Sequence, residues 1–291
     1  MTFSFASIVL LSLASTSLAA PLVNTIAPSN TTIEQMAANS TNYANTTLEQ
    51  MVADPSNYAD TTAEQMPVNT TSTTALSLLT SDVAASAGPV PSTKTAFTGD
   101  GSPAAGWPTI DKWATFSTIL SNNLPFLQTS CSQFAQPNNS PTEIAALSTA
   151  IQSISNLTAI DPRFILAAVM QESKGCVRVP TTQSPSNNIM NPGILQSHNG
   201  ANSCFGVSPC PPEKILGMLS DGVAGTAGGD GLQQTLAQAK GSAVGARDAQ
   251  AVYIAARIYN TAGFTKGQDL GGGSTASYAS DVANRLLGVV F

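Results

Sequence analysis

The chain has 291 residues, of which 42% are hydrophobic and only 10% charged, with a formal net charge of −6. Before position 101 seven acids face Lys94 alone, and from there onward ten acids meet ten Lys plus Arg, so the acidity belongs to the first third of the chain. The near-neutral remainder lacks the basic footprint of a nucleic-acid binder. One His and no CxxC or HExxH spacing argue against zinc, and no cofactor is expected.

Residues 3–18 form a short apolar stretch ending in Ser17-Leu-Ala-Ala20, the pattern of a secretory signal cleaved near Ala19 or Ala20. Residues 1–19 are therefore expected to be removed, and no later run is long enough to span a bilayer. A secreted, extracellular protein with no membrane partner after cleavage follows.

From 20 to 106 the composition changes. A fifteen-residue repeat, Thr31-Thr-Ile-Glu-Gln-Met36, Thr46-Thr-Leu-Glu-Gln-Met51 and Thr61-Thr-Ala-Glu-Gln-Met66, is too short for helical solenoids. Sequons at Asn30, Asn39, Asn45 and Asn69 within Ser/Thr-rich sequence point to a disordered, glycosylated stalk. A repeat that binds a wall polymer is the alternative. Few large apolar residues are present to build a packed surface, which favours the stalk. The Gly/Pro/Ser stretch 88–108 is read as the hinge, with the folded domain, 107–291, starting near Trp107.

That domain is predicted to be mainly α. Trp107 and Trp113 are read as packing residues near its start, with stacking on a sugar as the alternative. Ser140-Pro141-Thr142-Glu143 is a capping box with Pro at the first helical position, followed by Ile144, Leu147, Ile151 and Ile154 at helical spacing. Asp161-Pro162 opens a second helix that Gly175 is placed to stop. Further helices are predicted over 212–219, 232–240, 246–262 and 277–287, while strand-like alternation is scarce. Sequons at Asn138 and Asn156 mark surface. Four cysteines in an exported chain suggest two disulfides, for which Cys131 with Cys176 and Cys204 with Cys210 is the favoured of three pairings.

Glu172 is the residue that chemistry singles out. It closes the apolar run Phe164-Ile-Leu-Ala-Ala-Val-Met170 and follows Ile165, Ala168 and Val169 by seven, four and three positions, so it shares their face. Apolar neighbours raise a carboxyl pKa, and an acid still protonated at its working pH can protonate a leaving oxygen, as glycosidic cleavage requires. The plain alternative is a helix-end carboxyl paired with Lys174 or Arg178.

Three short stretches, Gln171-Glu172-Ser173, Asn191-Pro-Gly-Ile-Leu-Gln196-Ser-His-Asn-Gly200 and Arg257-Ile-Tyr-Asn-Thr-Ala-Gly263, carry further polar side chains at the ends of apolar segments. Their order and content resemble the lytic transglycosylase and goose-type lysozyme superfamily, and the secreted, stalked arrangement is similar to fungal members. Glu172-Ser173 matches its Glu-Ser motif, Gly193-Ile-Leu-Gln196 its Gly-Leu-Met-Gln motif, and Tyr259-Asn260-Thr-Ala-Gly263 its Tyr-Asn-Ala-Gly motif with Thr261 as an extra residue. The likeness covers about a third of the chain.

The resemblance implies a lysozyme-like domain that cleaves β-1,4-linked N-acetylhexosamine chains, a polysaccharide substrate bound by a monomer. Glu172 would be the catalytic acid and then base. Ser173, Gln196, His198, Tyr259 and Asn260 would contact substrate or support the cleft, with Tyr259 orienting Glu172 or the sugar. His198 is more readily read as a loop residue without chemistry. No Asp or Glu lies between Glu172 and Glu213, and Asp161 is about 16 Å away along the helix. A second carboxylate would have to come from Glu213, Asp221 or Asp230. Otherwise the substrate's own 2-acetamido group acts as nucleophile. The glycine-rich run 221–231 lacks a preceding strand and a Gly-Lys-Ser/Thr, so it is read as a loop. Bacterial peptidoglycan is the expected substrate. A chitin-like wall glycan, or a non-catalytic wall-binding role, are the alternatives.

Overall fold

The computed structural model describes residues 93–184, 187–273 and 275–291. The signal, the repeats and their four sequons lie outside the described residues. Within them the chain is mainly helical: α1 Phe116–Leu127, α2 Pro141–Thr158, α3 Pro162–Ser173, α4 Pro212–Val223, α5 Leu232–Lys240, α6 Asp248–Thr261 and α7 Tyr278–Leu286. A two-residue antiparallel pair, β1 Thr182–Gln183 with β2 Met190–Asn191, is the sole sheet among the described residues. None of the described helices is long and apolar enough to cross a membrane.

Helix α3 is central. Phe164 through Met170 are all buried, and the helix packs against α1, α2 and α7, so it is apolar around its whole circumference as a core helix must be. Asp161 caps its start by accepting from the Arg163 amide at 2.9 Å. At its end the chain turns left-handed at Lys174 and again at Gly175. A Cβ on Gly175 would lie 2.2 Å from Leu127 Cδ2, so the exit of α3 is pressed onto the end of α1.

Helix α2 starts as the sequence predicts, with one feature beyond that reading. Its capping box is present, with Ser140 Oγ accepting from the Glu143 amide and Glu143 Oε2 from the Ser140 amide. Glu143, however, is buried, and its other oxygen accepts from Arg178 Nη2 and, at 2.6 Å, from the Cys210 amide. Burial pushes its pKa up, but the backbone donors and the Arg178 charge outweigh that and hold the carboxyl below its ordinary value. Helix α1 was not among the predicted elements, because Asn122-Asn123 and an internal Pro125 mask its Ile119, Leu120 and Leu127 face.

The expected domain start at Trp107 is too late. Residues 94–99 cross the outer face of α7: the Thr95 amide donates to Asn284 Oδ1 at 2.8 Å, Asn284 Nδ2 donates to the Thr95 carbonyl, and the Phe97 amide donates to Ser280 Oγ at 3.0 Å. Lys94 pairs with Asp281. Ser280, Asp281 and Asn284 would read as a solvent face; the strap supplies the partners that let all nine residues of α7 be buried. Trp107 and Trp113 are buried, stack on Phe97 and Tyr253, and donate their indole N–H groups to Thr98 O and Tyr253 Oη, which makes them packing residues. Asn138 and Asn156 are exposed.

Both favoured disulfides are present, Cys131–Cys176 and Cys204–Cys210. The first spans 45 residues and pins the segment just after α3. Loop-closure entropy makes such a bridge worth about 4 kcal/mol, and the six-residue span of the second worth roughly 2.2. Urea denaturation of the double variants Cys131→Ala/Cys176→Ala and Cys204→Ala/Cys210→Ala is expected to show losses in that order; equal losses would refute the chain-entropy account.

Candidate active site

Glu172 sits on the last turn of α3, where α3 packs on α7. It is half-buried: some surface remains reachable while packed protein strips water from its other sides. Its partner is Tyr278, the first residue of α7, which donates its hydroxyl to Oε1 at 2.5 Å. Desolvation is the larger influence and pushes the Glu172 pKa up to about 7, with the Tyr278 hydrogen bond pulling partly the other way. Tyr278 is itself raised well above the ordinary phenol by burial and by the Glu172 charge.

The ion-pair alternative for Glu172 is not realised. Arg178 is committed to Glu143, and Lys174 lies with Lys94 and Arg285 around the Phe291 ring. Among the described residues Glu172 makes no salt bridge.

Tyr259 does not bond Glu172. Its hydroxyl donates 2.7 Å to the Leu195 carbonyl, fastening the 193–200 loop to α6. Burial first, and then the charges of Glu172 and Asp221, push its pKa up, so the carboxyl and this phenol are electrostatic neighbours. A hydrogen bond thus joins the second and third motifs, Tyr259 holding the loop.

The other expected contacts take different roles. Ser173 is fully buried, its hydroxyl donating to the Val169 carbonyl at 2.9 Å and accepting from the Gly175 amide, so it finishes α3 and cannot meet a substrate. Gln196, at φ 47°, donates Nε2 to the Pro180 and Gly193 carbonyls and accepts from Thr182 Oγ1 at 2.6 Å. Its amide therefore braces the loop. His198 is half-buried beside Gly228 and Gly229, and its carbonyl accepts from Thr226 Oγ1 at 2.6 Å, which explains where the glycine-rich loop folds. Asn260 accepts from Arg257 Nη1 and the Thr275 amide, supporting the segment that enters α7.

None of the four acids considered as a second carboxylate is bonded to Glu172. Asp161 is the α3 cap and chelates Arg163. Asp221 Oδ2 accepts from the Ala201 and Asn202 amides and from Asn202 Nδ2. Asp230 accepts from Gln238, and Glu213 is exposed on the first turn of α4.

Sequence reasoning missed Tyr278. Tyr278, Asp281 and Arg285 recur at helical spacing on α7, and this polar stripe faces α3: Arg285 Nε and Asp281 engage Gln171 while Tyr278 engages Glu172. The stripe was visible in sequence but indistinguishable from a solvated face. Comparison with family models, with curated proteins and with solved structures finds no match.

A carboxyl with a raised folded-state pKa binds a proton that the unfolded chain releases. The stability it contributes is full below about 4.5 and is lost as pH rises through about 7. Glu172→Gln is therefore expected to be more stable than the parent at pH 8, by about 1–3 kcal/mol, with the gap closing by pH 4. Thermal unfolding across that range checks it; a gap that does not vary with pH would show that Glu172 is not desolvated.

Proposed function

We propose that this protein is an extracellular glycosidase of the lysozyme or lytic transglycosylase type, which cleaves β-1,4 bonds in N-acetylhexosamine polymers, with bacterial peptidoglycan as substrate. The feature that carries this reading is Glu172: a half-buried residue that makes no salt bridge among the described residues and whose carboxyl pKa burial raises to about 7. That is the state a general acid needs near neutrality. The sequence likeness of the three motifs, the link of Tyr259 to the 193–200 loop, and two disulfides suited to an oxidising compartment lend support.

In this mechanism the Glu172 carboxyl gives its proton to the glycosidic oxygen as the C1–O bond breaks, and the Tyr278 hydrogen bond steadies the carboxylate left behind. The substrate's 2-acetamido oxygen closes on C1 in place of a protein nucleophile, consistent with the commitments of Asp221 and Asp230 elsewhere. Glu172, now anionic, takes a proton from the group that opens the resulting ring. Water gives a reducing end; the sugar's own 6-hydroxyl gives a 1,6-anhydro product.

Turbidity loss of bacterial walls and sugar release from chitin test the substrate, and mass spectrometry of the products distinguishes hydrolysis from ring closure. Wild-type protein is expected to clear the walls, and Glu172→Gln to lose about 10²- to 10⁴-fold in rate. Activity unchanged in Glu172→Gln would overturn the site, and cleavage of neither polymer would overturn the function.

A further inference from the structure

Arg257 is a fully buried cation on α6 without a carboxylate: it forms no salt bridge among the described residues. Its guanidinium instead gathers backbone oxygens from the segment that leads into α7. Nη2 donates to the carbonyls of Leu270, Thr275 and Ala276, the last at 3.0 Å, and Nη1 donates to Thr275 O at 3.1 Å and to Asn260 Oδ1 at 3.0 Å. The Nε of Arg257 is buried without a hydrogen-bond partner among the described residues, and a buried guanidinium held only through its two terminal nitrogens costs more than an apolar side chain of similar size, so its presence calls for a reason beyond stability. The Thr275 carbonyl supplies one. It also accepts from the backbone N–H of Tyr278 at 3.0 Å, so one oxygen joins the Arg257 fork to the residue whose hydroxyl meets Glu172.

We propose that Arg257 is a positioning residue which, through the Thr275 carbonyl, sets the start of α7 and so holds the Tyr278 hydroxyl against Glu172. This deepens the glycosidase reading and rests on it for its catalytic consequence. The fork shape matters, since a planar guanidinium reaches several carbonyls at once and an ammonium cannot. Gly273 is part of the same knot: at φ 92° it passes so close that a Cβ would lie 3.0 Å from Arg257 Nη1 and 2.3 Å from Thr261 Cγ2.

The titratable groups that interact with Glu172 are Tyr278 from α7 and Tyr259 from α6; Asp221 of α4 lies beyond Tyr259, Arg285 acts on Tyr278, and Asp281 and Arg285 act on Lys174 at the end of α3. Of these, Tyr278 is the one bonded to the carboxyl, and its loss removes the influence that lowers the Glu172 pKa.

The test follows Glu172 ionisation directly, by NMR of protein labelled with carbon-13 at the glutamate carboxyls, the resonance being assigned from its absence in Glu172→Gln. Tyr278→Phe is expected to move the titration midpoint upward by about tenfold in proton affinity, a charge-assisted hydrogen bond's worth. Arg257→Gln should move it in the same direction, the two changes together no further than Tyr278→Phe alone, and Arg257→Lys less than Arg257→Gln. Should Arg257→Gln fail to fold, Gly273→Ala disturbs the knot from the other side and should also raise the midpoint. A midpoint unmoved by Arg257→Gln or Gly273→Ala, or by Tyr278→Phe, overturns the proposal. Activity is read separately: the falling alkaline limb of kcat/KM should rise with the midpoint while KM changes little. Absence of glycan cleavage with the midpoint shifts intact would refute the glycosidase reading and leave the positioning role standing.

Discussion

A carboxyl group removed from water without a cation is among the costlier things a fold can hold, and the meeting of Glu172 with Tyr278 is where this one is held. One phenol hydroxyl stabilises the ionised form while desolvation opposes it, and the balance leaves the proton titrating near neutrality. The surrounding structure can be understood as what keeps those two side chains at that separation. Helix α3 brings one of them on a wholly apolar stem, and α7 brings the other on its first residue.

Each helix is restrained from the end that matters. The exit of α3 is closed by Ser173, by the turn at Lys174 and Gly175 against Leu127, and by the Cys131–Cys176 bridge just beyond. The entry of α7 is restrained by the carbonyls that Arg257 collects, and its outer face by the strap of residues 94–99. The 193–200 loop is tied in through Tyr259 and braced internally by Gln196. Polar residues do most of this restraining, and Ser173 and Arg257 among them are buried. Most of their hydrogen bonds are met, though Arg257 Nε and Arg285 Nη1 are buried without a partner among the described residues.

Much of the fold was legible. The Ser140 and Asp161 caps start α2 and α3 where the side chains place them, because cap signals act within four residues and need no tertiary help. The apolar runs of α4, α5 and α6 fall where their periodicity puts them, although α4 continues to Val223. Helix α1 was lost to its Asn and Pro content, and the strap to a composition that reads as linker. Glu172 was legible as a desolvated acid because its apolar neighbours are sequence neighbours. The hydrogen bonds of Ser173, Gln196 and Asn260 within the fold were not legible, because polarity in a loop or at a helix end does not say which way the side chain turns.

The amino-acid sequence by itself determined a helical domain, the burial of α3 and the carboxyl at the end of an apolar helix, all of which depend on residues close together in the chain, whereas of three possible cysteine pairings it only favoured the one the structure holds. Only the tertiary structure decided which phenol meets that carboxyl. Tyr278 is 106 residues from Glu172, and the face of α7 that carries it looks like a solvated one until the strap covers its far side and α3 its near side. Local periodicity reports that a helix has two faces; which of them a distant segment will desolvate depends on contacts that exist only once the chain has closed.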